Sequence, residues 1–190
     1  MSRPALFVRF ALWLWFFAAI AAGYFLLLQR LPAPAVPAIL LGLTAVLLSA
    51  YFRVAPLRAW VDSLDPRALV QLHLTRFVGL YFLVLYRRGE LPYAFAVKGG
   101  IGDIIVASFA VVLILVPFAE ARLHRLLVIW NVIGLMDILL VVFSAARLTI
   151  ADPYAMHALT HLPLSLLPTF LVPLIIATHI ILFVRLAQKG

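Results

Sequence analysis

Six runs of about twenty mostly apolar residues, each closed by a short cluster of proline, glycine and charge, dictate what this chain can fold into. The hydrocarbon core of a bilayer is about 30 Å thick and a helix advances about 1.5 Å per residue, so about 20 apolar residues cross it. Within lipid the backbone has no water to bond, and a helix satisfies its own N–H and C=O groups. The runs cover roughly 5–29, 36–53, 68–87, 102–119, 125–147 and 164–186. Pro32, Pro34 and Pro37 punctuate the first break, and Arg53, Arg58, Asp62, Asp65 and Pro66 the second. Arg87-Arg88-Gly89-Glu90-Leu91-Pro92 ends the third run. Glu120, Arg122, His124 and Arg125 part the fourth from the fifth, and Asp152-Pro153 opens the last loop. The expectation is an all-α polytopic bundle of six spans, forming a single transmembrane domain over residues 1–190.

Composition agrees with this. Of 190 residues 66% are hydrophobic and only 12% charged, with a mean hydropathy of +1.16, whereas a soluble domain is about 25% charged. The net charge of +8 is carried mostly by arginines lying between the apolar runs. In that arrangement they anchor loops to anionic headgroups, which makes the lipid bilayer the first partner. Nucleic acid is ruled out as a partner, since no soluble face exists to hold it. The chain has no cysteine, so disulfides, thiolate metal sites and a cysteine nucleophile are absent.

Arg3 and Arg9 ahead of an apolar run superficially resemble a signal peptide. The run is crowded with Phe10, Trp13, Trp15, Phe16, Phe17, Tyr24 and Phe25, and it continues to Leu28, so it reads as a retained first helix. With six spans both termini share a side. The positive-inside bias favours the cytoplasm for them: Arg3, Arg9, Arg53, Arg58, Arg67, Arg122, Arg125, Arg185 and Lys189 stand against Arg30, Arg87, Arg88, Lys98 and Arg147.

An ionisable group inside the bilayer costs roughly 2.5–3.5 kcal/mol on insertion scales, so each one asks for a partner. Three stand out, at depths from the terminal side of roughly 12 Å for Arg76, 18 Å for Asp137 and 11 Å for His179. Asp137 is the first candidate. Asn131, Gly134 and Asp137 step by three along one helix face, where a small residue permits close approach and Asn can bond across helices. An Arg76–Asp137 pair could simply lock two helices together, or Asp137 could be a proton- or solute-binding carboxylate lining a polar cavity in the inner half of the bundle. His179 lies on a helix with Pro168 and Pro173, whose freed carbonyls could bind a cation; the plainer reading is a hydrogen bond to a neighbouring carbonyl.

The stretch Leu91–Gly102 carries Gly99, Gly100 and Gly102 and reads as a short interfacial or re-entrant segment before the fourth span. Asp103 would then cap that span's N-terminus, or form an outer gate with Glu90 and Lys98. His157 and His161 stand four apart, the spacing of a metal pair, with no third histidine or cysteine close by; they are weak candidates in an ordinary interfacial loop. No H-E-x-x-H or G-x-S-x-G motif occurs. No lysine falls within a run, against a retinal Schiff base, and only His179 lies well inside one, against a haem held by paired histidines. These absences count against an enzyme without excluding one, and the cofactor is unknown.

Three stretches carry a family resemblance: Arg76-x-x-Gly79-x-x-Phe82-Leu83, then Gly89-x-Leu91-Pro92-x-x-Phe95-Ala96, then Gly100-Ile101-Gly102-Asp103. Pro168-Thr169-Phe170-Leu171-Val172-Pro173 with His179 adds to them. From Arg76 onward the chain resembles an uncharacterised family of small bacterial polytopic membrane proteins, in which Ala-Gly precedes x-Gly-Asp where this chain has Gly99-Gly100. The resemblance implies a bacterial inner-membrane location and no particular activity. Three readings follow. The first is binding or transport of a small solute, ion or proton by Arg76, Asn131, Asp137 and His179. The second is a non-catalytic subunit of a larger membrane complex, or a homo-oligomer. The third is a membrane enzyme acting on a lipid or quinone, with Asp137 or His179 as acid–base.

Overall fold

The computed structural model describes residues 3–32 and 34–188, with the side chains of Arg3 and Pro4 left out; Lys189, counted above among the terminal-side charges, lies outside the described residues. Among the described residues there are helices and no strands. Six helices are long and apolar enough to cross a membrane: Ala5–Tyr24, Ala35–Arg53, Pro66–Arg87, Tyr93–Leu115, Glu120–Ala151 and Leu167–Ala187. The chain is an integral membrane protein of the multi-pass, all-helical kind.

The first two spans are α1 (Arg3–Tyr24) and α2 (Ala35–Arg53). What the sequence suggested was a loop after α2 contains a short helix, α3 (Ala55–Ser63). Its Leu57, Trp60 and Val61 recur at helical spacing while Arg58 and Asp62 pair across one turn at 3.6 Å, the pattern of a helix lying at an interface. The third span opens on Asp65, whose carboxylate accepts from Arg67 N at 2.7 Å with Pro66 in the first turn. It is built in three pieces: α4 (Pro66–Gln71), a 3-10 stretch over Leu72–Val78, and α5 (Gly79–Arg87). It stops where the sequence says it should. Gly89 takes a left-handed conformation at φ 75°, Glu90 N donates to Leu85 O at 2.9 Å, and Gly89 N donates to Tyr86 O at 3.0 Å, which closes the helix end.

The fourth span differs from expectation. It is one continuous helix, α6 (Tyr93–Leu115), and no interfacial or re-entrant segment precedes it. Gly99, Gly100 and Gly102 are therefore inside a span, where they serve close packing and not flexibility. A Cβ on Gly100 would lie 2.8 Å from Gly79 O, so the third and fourth spans touch backbone to backbone there. Lys98 is inside this helix too, exposed on its flank, so a lysine does fall within a span.

The fifth span, α7 (Glu120–Ala151), is 32 residues and about 48 Å long, enough to project beyond the hydrocarbon core. The sixth begins with a π-helical turn over Leu167–Leu171 and continues as α8 (Val172–Ala187). Pro173 has no N–H to give the carbonyl of Thr169, and Trp15 Nε1 donates to that carbonyl instead at 2.8 Å. The carbonyl freed by this proline is thus bonded to α1, ten residues away from His179. In packing, α6 lies between the third span and α7, and the sixth span lies against α2 and α7. Burial is uneven: 61% of the sixth span's apolar stretch is buried, but only 6% of the first's, whose aromatic face is left to lipid.

Candidate functional site

The third span holds the centre of the site because of its 3-10 stretch. In such a helix residues i and i+3 eclipse one another, and runs beyond three or four residues are uncommon. Here seven residues adopt it, and His73 and Arg76, three apart, are both buried at 1% exposure. Each end of that stretch is ordinary helix, so the irregularity is confined to the two polar residues and their neighbours.

Arg76 is bonded on three sides. Its Nε donates to Asp103 Oδ1 at 2.7 Å, its Nη1 to Gly134 O at 2.9 Å, and its Nη2 to Asp137 Oδ2. The expected Arg76–Asp137 pair is thus present, and a second carboxylate joins it. Asp103 does not cap a helix: Pro92 stands at that position, and Asp103 lies ten residues in from Tyr93, at 3% exposure. Opening the span nine residues late, at 102, is what hid this partner. Asp137 is less enclosed, with 19% of its side chain exposed. Its carboxylate rests on Gly102, where a Cβ would come within 2.7 Å of the carboxyl carbon.

The α7 strip has two partners. Asn131 Nδ2 donates to His179 O at 3.0 Å, and its Oδ1 lies 2.7 Å from His179 Nδ1. Since a carbonyl only accepts, Nδ2 must face His179 O, and Oδ1 then accepts from His179 Nδ1–H. His179 Nε2 is left with a lone pair and no donor among the described residues. Gly134 makes room for this ring, since a Cβ there would lie 2.8 Å from His179 Nε2.

His73 is the residue that sequence reasoning missed. Its ring lies 4.2 Å from that of His179, and Trp130 stands edge-on to it at 4.8 Å. Thr178 Oγ1 gives its only proton to Leu174 O or Ile175 O at 2.8 and 3.0 Å, so it accepts from His73 Nε2–H at 3.1 Å. His73 Nδ1 is then a second buried lone pair without a donor. The spacing of three from Arg76 was the signal available. Two histidines on facing spans are present after all.

The other candidates do not join this node. Glu90 lines a separate cavity of about 490 Å³ at the end opposite the termini, with His157, His161, Tyr154 and Tyr81. Lys98 is exposed, so Glu90, Lys98 and Asp103 do not form one gate. The rings of His157 and His161 meet at 4.6 Å, but His161 Nε2 takes a bond from Gln29 Nε2 at 2.8 Å and Nδ1 faces His157 O at 3.1 Å. Among the described residues no group of three metal-ligating side chains occurs.

A cavity of about 100 Å³ borders the node, lined by α2, α6, α7, the third and sixth spans and the segment between α7 and the sixth span. Arg76 and Asp103 stand in its wall; Asn131, Asp137 and His179 do not. Apart from Arg76, Asp103, Thr75, Thr149 and Thr160 the wall is apolar, where a polar cavity was expected, and it runs towards the end opposite the termini.

Residues 33–187 match the family described as a domain of unknown function (DUF8737). The chain belongs to this family. That match covers all but the first of the six spans and every residue of the node. No curated protein and no solved structure matches the chain.

Proposed function

We propose that the protein binds and releases a proton within the membrane, coupled to a ligand held in the bundle. One observation carries this: a single guanidinium, Arg76, is shared by two carboxylates, Asp103 and Asp137, from two other spans. A structural staple needs one carboxylate per arginine. Two leave an uncompensated negative charge on a node of which Asp137 alone is part-exposed, and a charge held largely away from water without a partner is expensive. A proton or a cation taken up by the node removes it.

The local backbone favours movement of these groups. A long 3-10 stretch carries His73 and Arg76, and a π turn lies one helix segment before His179; both departures recur at hinges and functional sites. The inner membrane of a bacterium with both termini in the cytoplasm completes the reading. Arg53, Arg58, Arg67, Arg122, Arg125 and Arg185 gather at the terminal end.

Infrared difference spectroscopy on the protein in lipid tests this. A protonated-carboxyl C=O band should appear and vanish as pH is cycled through the physiological range, and Asp137→Asn or Asp103→Asn should remove it. A wild-type protein with no such band at any pH, or one untouched by either substitution, would overturn the proposal.

A further inference from the structure

The walls of the cavity restrict what the ligand can be. Along α7 the lining residues Ile138, Val141, Val142, Ala145 and Thr149 recur at spacings of three and four, so the cavity follows one helix face. From Ile138 to Thr149 is a rise of about 16 Å. Leu40, Phe82, Phe95, Val172 and Ile175 close the other sides. A hydrophilic solute would give up its water along this path and find almost nothing to bond, at roughly 2–7 kcal/mol per unpaired polar group. A hydrocarbon chain loses nothing there, and a space of about 100 Å³ takes the first few of its carbons.

The node fixes the head of such a ligand. Arg76 has five N–H groups and three are engaged by described residues, so two remain to donate. Asp103 is bonded through Oδ1, which leaves Oδ2 to accept. A hydroxyl both accepts and donates, and matches this pair. An anionic head would meet the node's surplus negative charge and be repelled.

We propose that the cavity takes the head end of a single-chain membrane lipid with an uncharged hydroxyl, its first carbons lying along α7 and its hydroxyl on Arg76 and Asp103. This rests on the proton-binding reading only for the charge of the node; the cavity itself is independent of it. Bond exchange at Asp103 would then link the ligand's arrival to the node's proton.

Photolabelling in lipid nanodiscs tests it, with a long-chain alcohol bearing a diazirine in its chain and mass spectrometry to map the adducts. The expected result is saturable labelling of cavity-wall residues on α7 and the sixth span, displaced by excess unlabelled alcohol. The carboxylic acid of equal length should label at least ~10-fold less at neutral pH, a difference of about 1.4 kcal/mol. Ala145→Phe, which fills the cavity without touching the node, should abolish wall labelling; displacement by the unlabelled alcohol needs no variant and stands if that protein fails to fold. Labelling confined to lipid-facing residues such as Leu140 and Phe143, or insensitive to competitor, sinks the lipid ligand. Equal labelling by the acid sinks the assignment of its head. If labelling fails while the infrared carboxyl band persists, proton binding survives and the lipid does not; the converse removes the proton and keeps the lipid.

Discussion

Among the described residues two arginines are buried, Arg76 and Arg185, and they are held in different ways. Arg76, midway along its span, faces two carboxylates and one carbonyl. Arg185, near the end of α8, faces only backbone carbonyls: its Nη2 donates to Asp62 O at 3.0 Å and to Leu64 O, at the C-terminus of α3. A cation there satisfies carbonyls that a helix end leaves unpaired and favours the negative end of its dipole. Arg185 is therefore explained by what it holds together, the interfacial α3 and the sixth span. Arg76 is not, because a staple would not need its second carboxylate. The two differ in what surrounds the cation: two carboxylates leave one negative charge over at Arg76, whereas Arg185 has carbonyl dipoles for Nη2 and no partner for Nη1 among the described residues.

The comparison can be broken most sharply at Arg76. Arg76→Met leaves two carboxylates facing each other in the bundle and should destabilise the protein by about 3–5 kcal/mol, the cost of removing one partner from a buried pair. Unfolding in mixed micelles by denaturing detergent would measure it. Adding Asp103→Asn and Asp137→Asn to Arg76→Met should recover most of that loss, since charges removed together leave no unpaired ion. A triple variant as unstable as the single would mean that Arg76 acts through its backbone bond and its packing and not through the two carboxylates. Arg185→Met should cost less, about 1.5–3 kcal/mol for its charged hydrogen bonds. It should also loosen α3, seen as faster proteolysis between Arg53 and Asp65. No substitution of Asp62 by Asn should rescue it, because the bonds go to backbone.

How far the sequence revealed these two sites follows from what each depends on. The spans were legible because apolar length and terminal signals are local: Asp65-Pro66 opens the third and Arg88-Gly89 closes it, as residue chemistry predicts. The depth of Arg76 and Asp137 was legible as well, and the structure joins them. Asp103 is not legible as a span residue because three glycines before it read as a break, whereas the helix runs through them. In a bundle whose helices attract by close contact, glycine marks where backbones meet, and Gly79 against Gly100 is such a place. His73 was hidden differently. The spacing of three between His73 and Arg76 is plain in the sequence, but a 3-10 stretch leaves no trace in an apolar pattern, so nothing local says that the two eclipse one another. The role of Arg185 could not be read at all, since it depends on where α3 ends.

Gly102→Ala tests the same close contact within the node. Its methyl would press on the Asp137 carboxylate, and overpacking of this kind costs about 1–3 kcal/mol. The expected sign is a less stable protein in which Asp137 has swung out towards its exposed side, with a hydrogen–deuterium exchange increase confined to the middle of α6 and α7. If stability and exchange are unchanged, the carboxylate sits more loosely against Gly102 than the geometry shows.

The smallest effect on stability belongs to the substitution that matters most for function. Asp137→Asn keeps an acceptor for Arg76 Nη2 and leaves Asp103 as the one carboxylate, so the node becomes electrically balanced like an ordinary buried pair. A charged hydrogen bond is exchanged for a neutral one while the surplus charge disappears, and the two changes oppose each other; the net should stay within about 1 kcal/mol. The same variant should lose the proton band. A node that serves only to hold spans together would show the reverse, a clear loss of stability with nothing lost in proton binding. Measured side by side, unfolding and infrared titration of this one variant decide whether Arg76 belongs with Arg185 or apart from it.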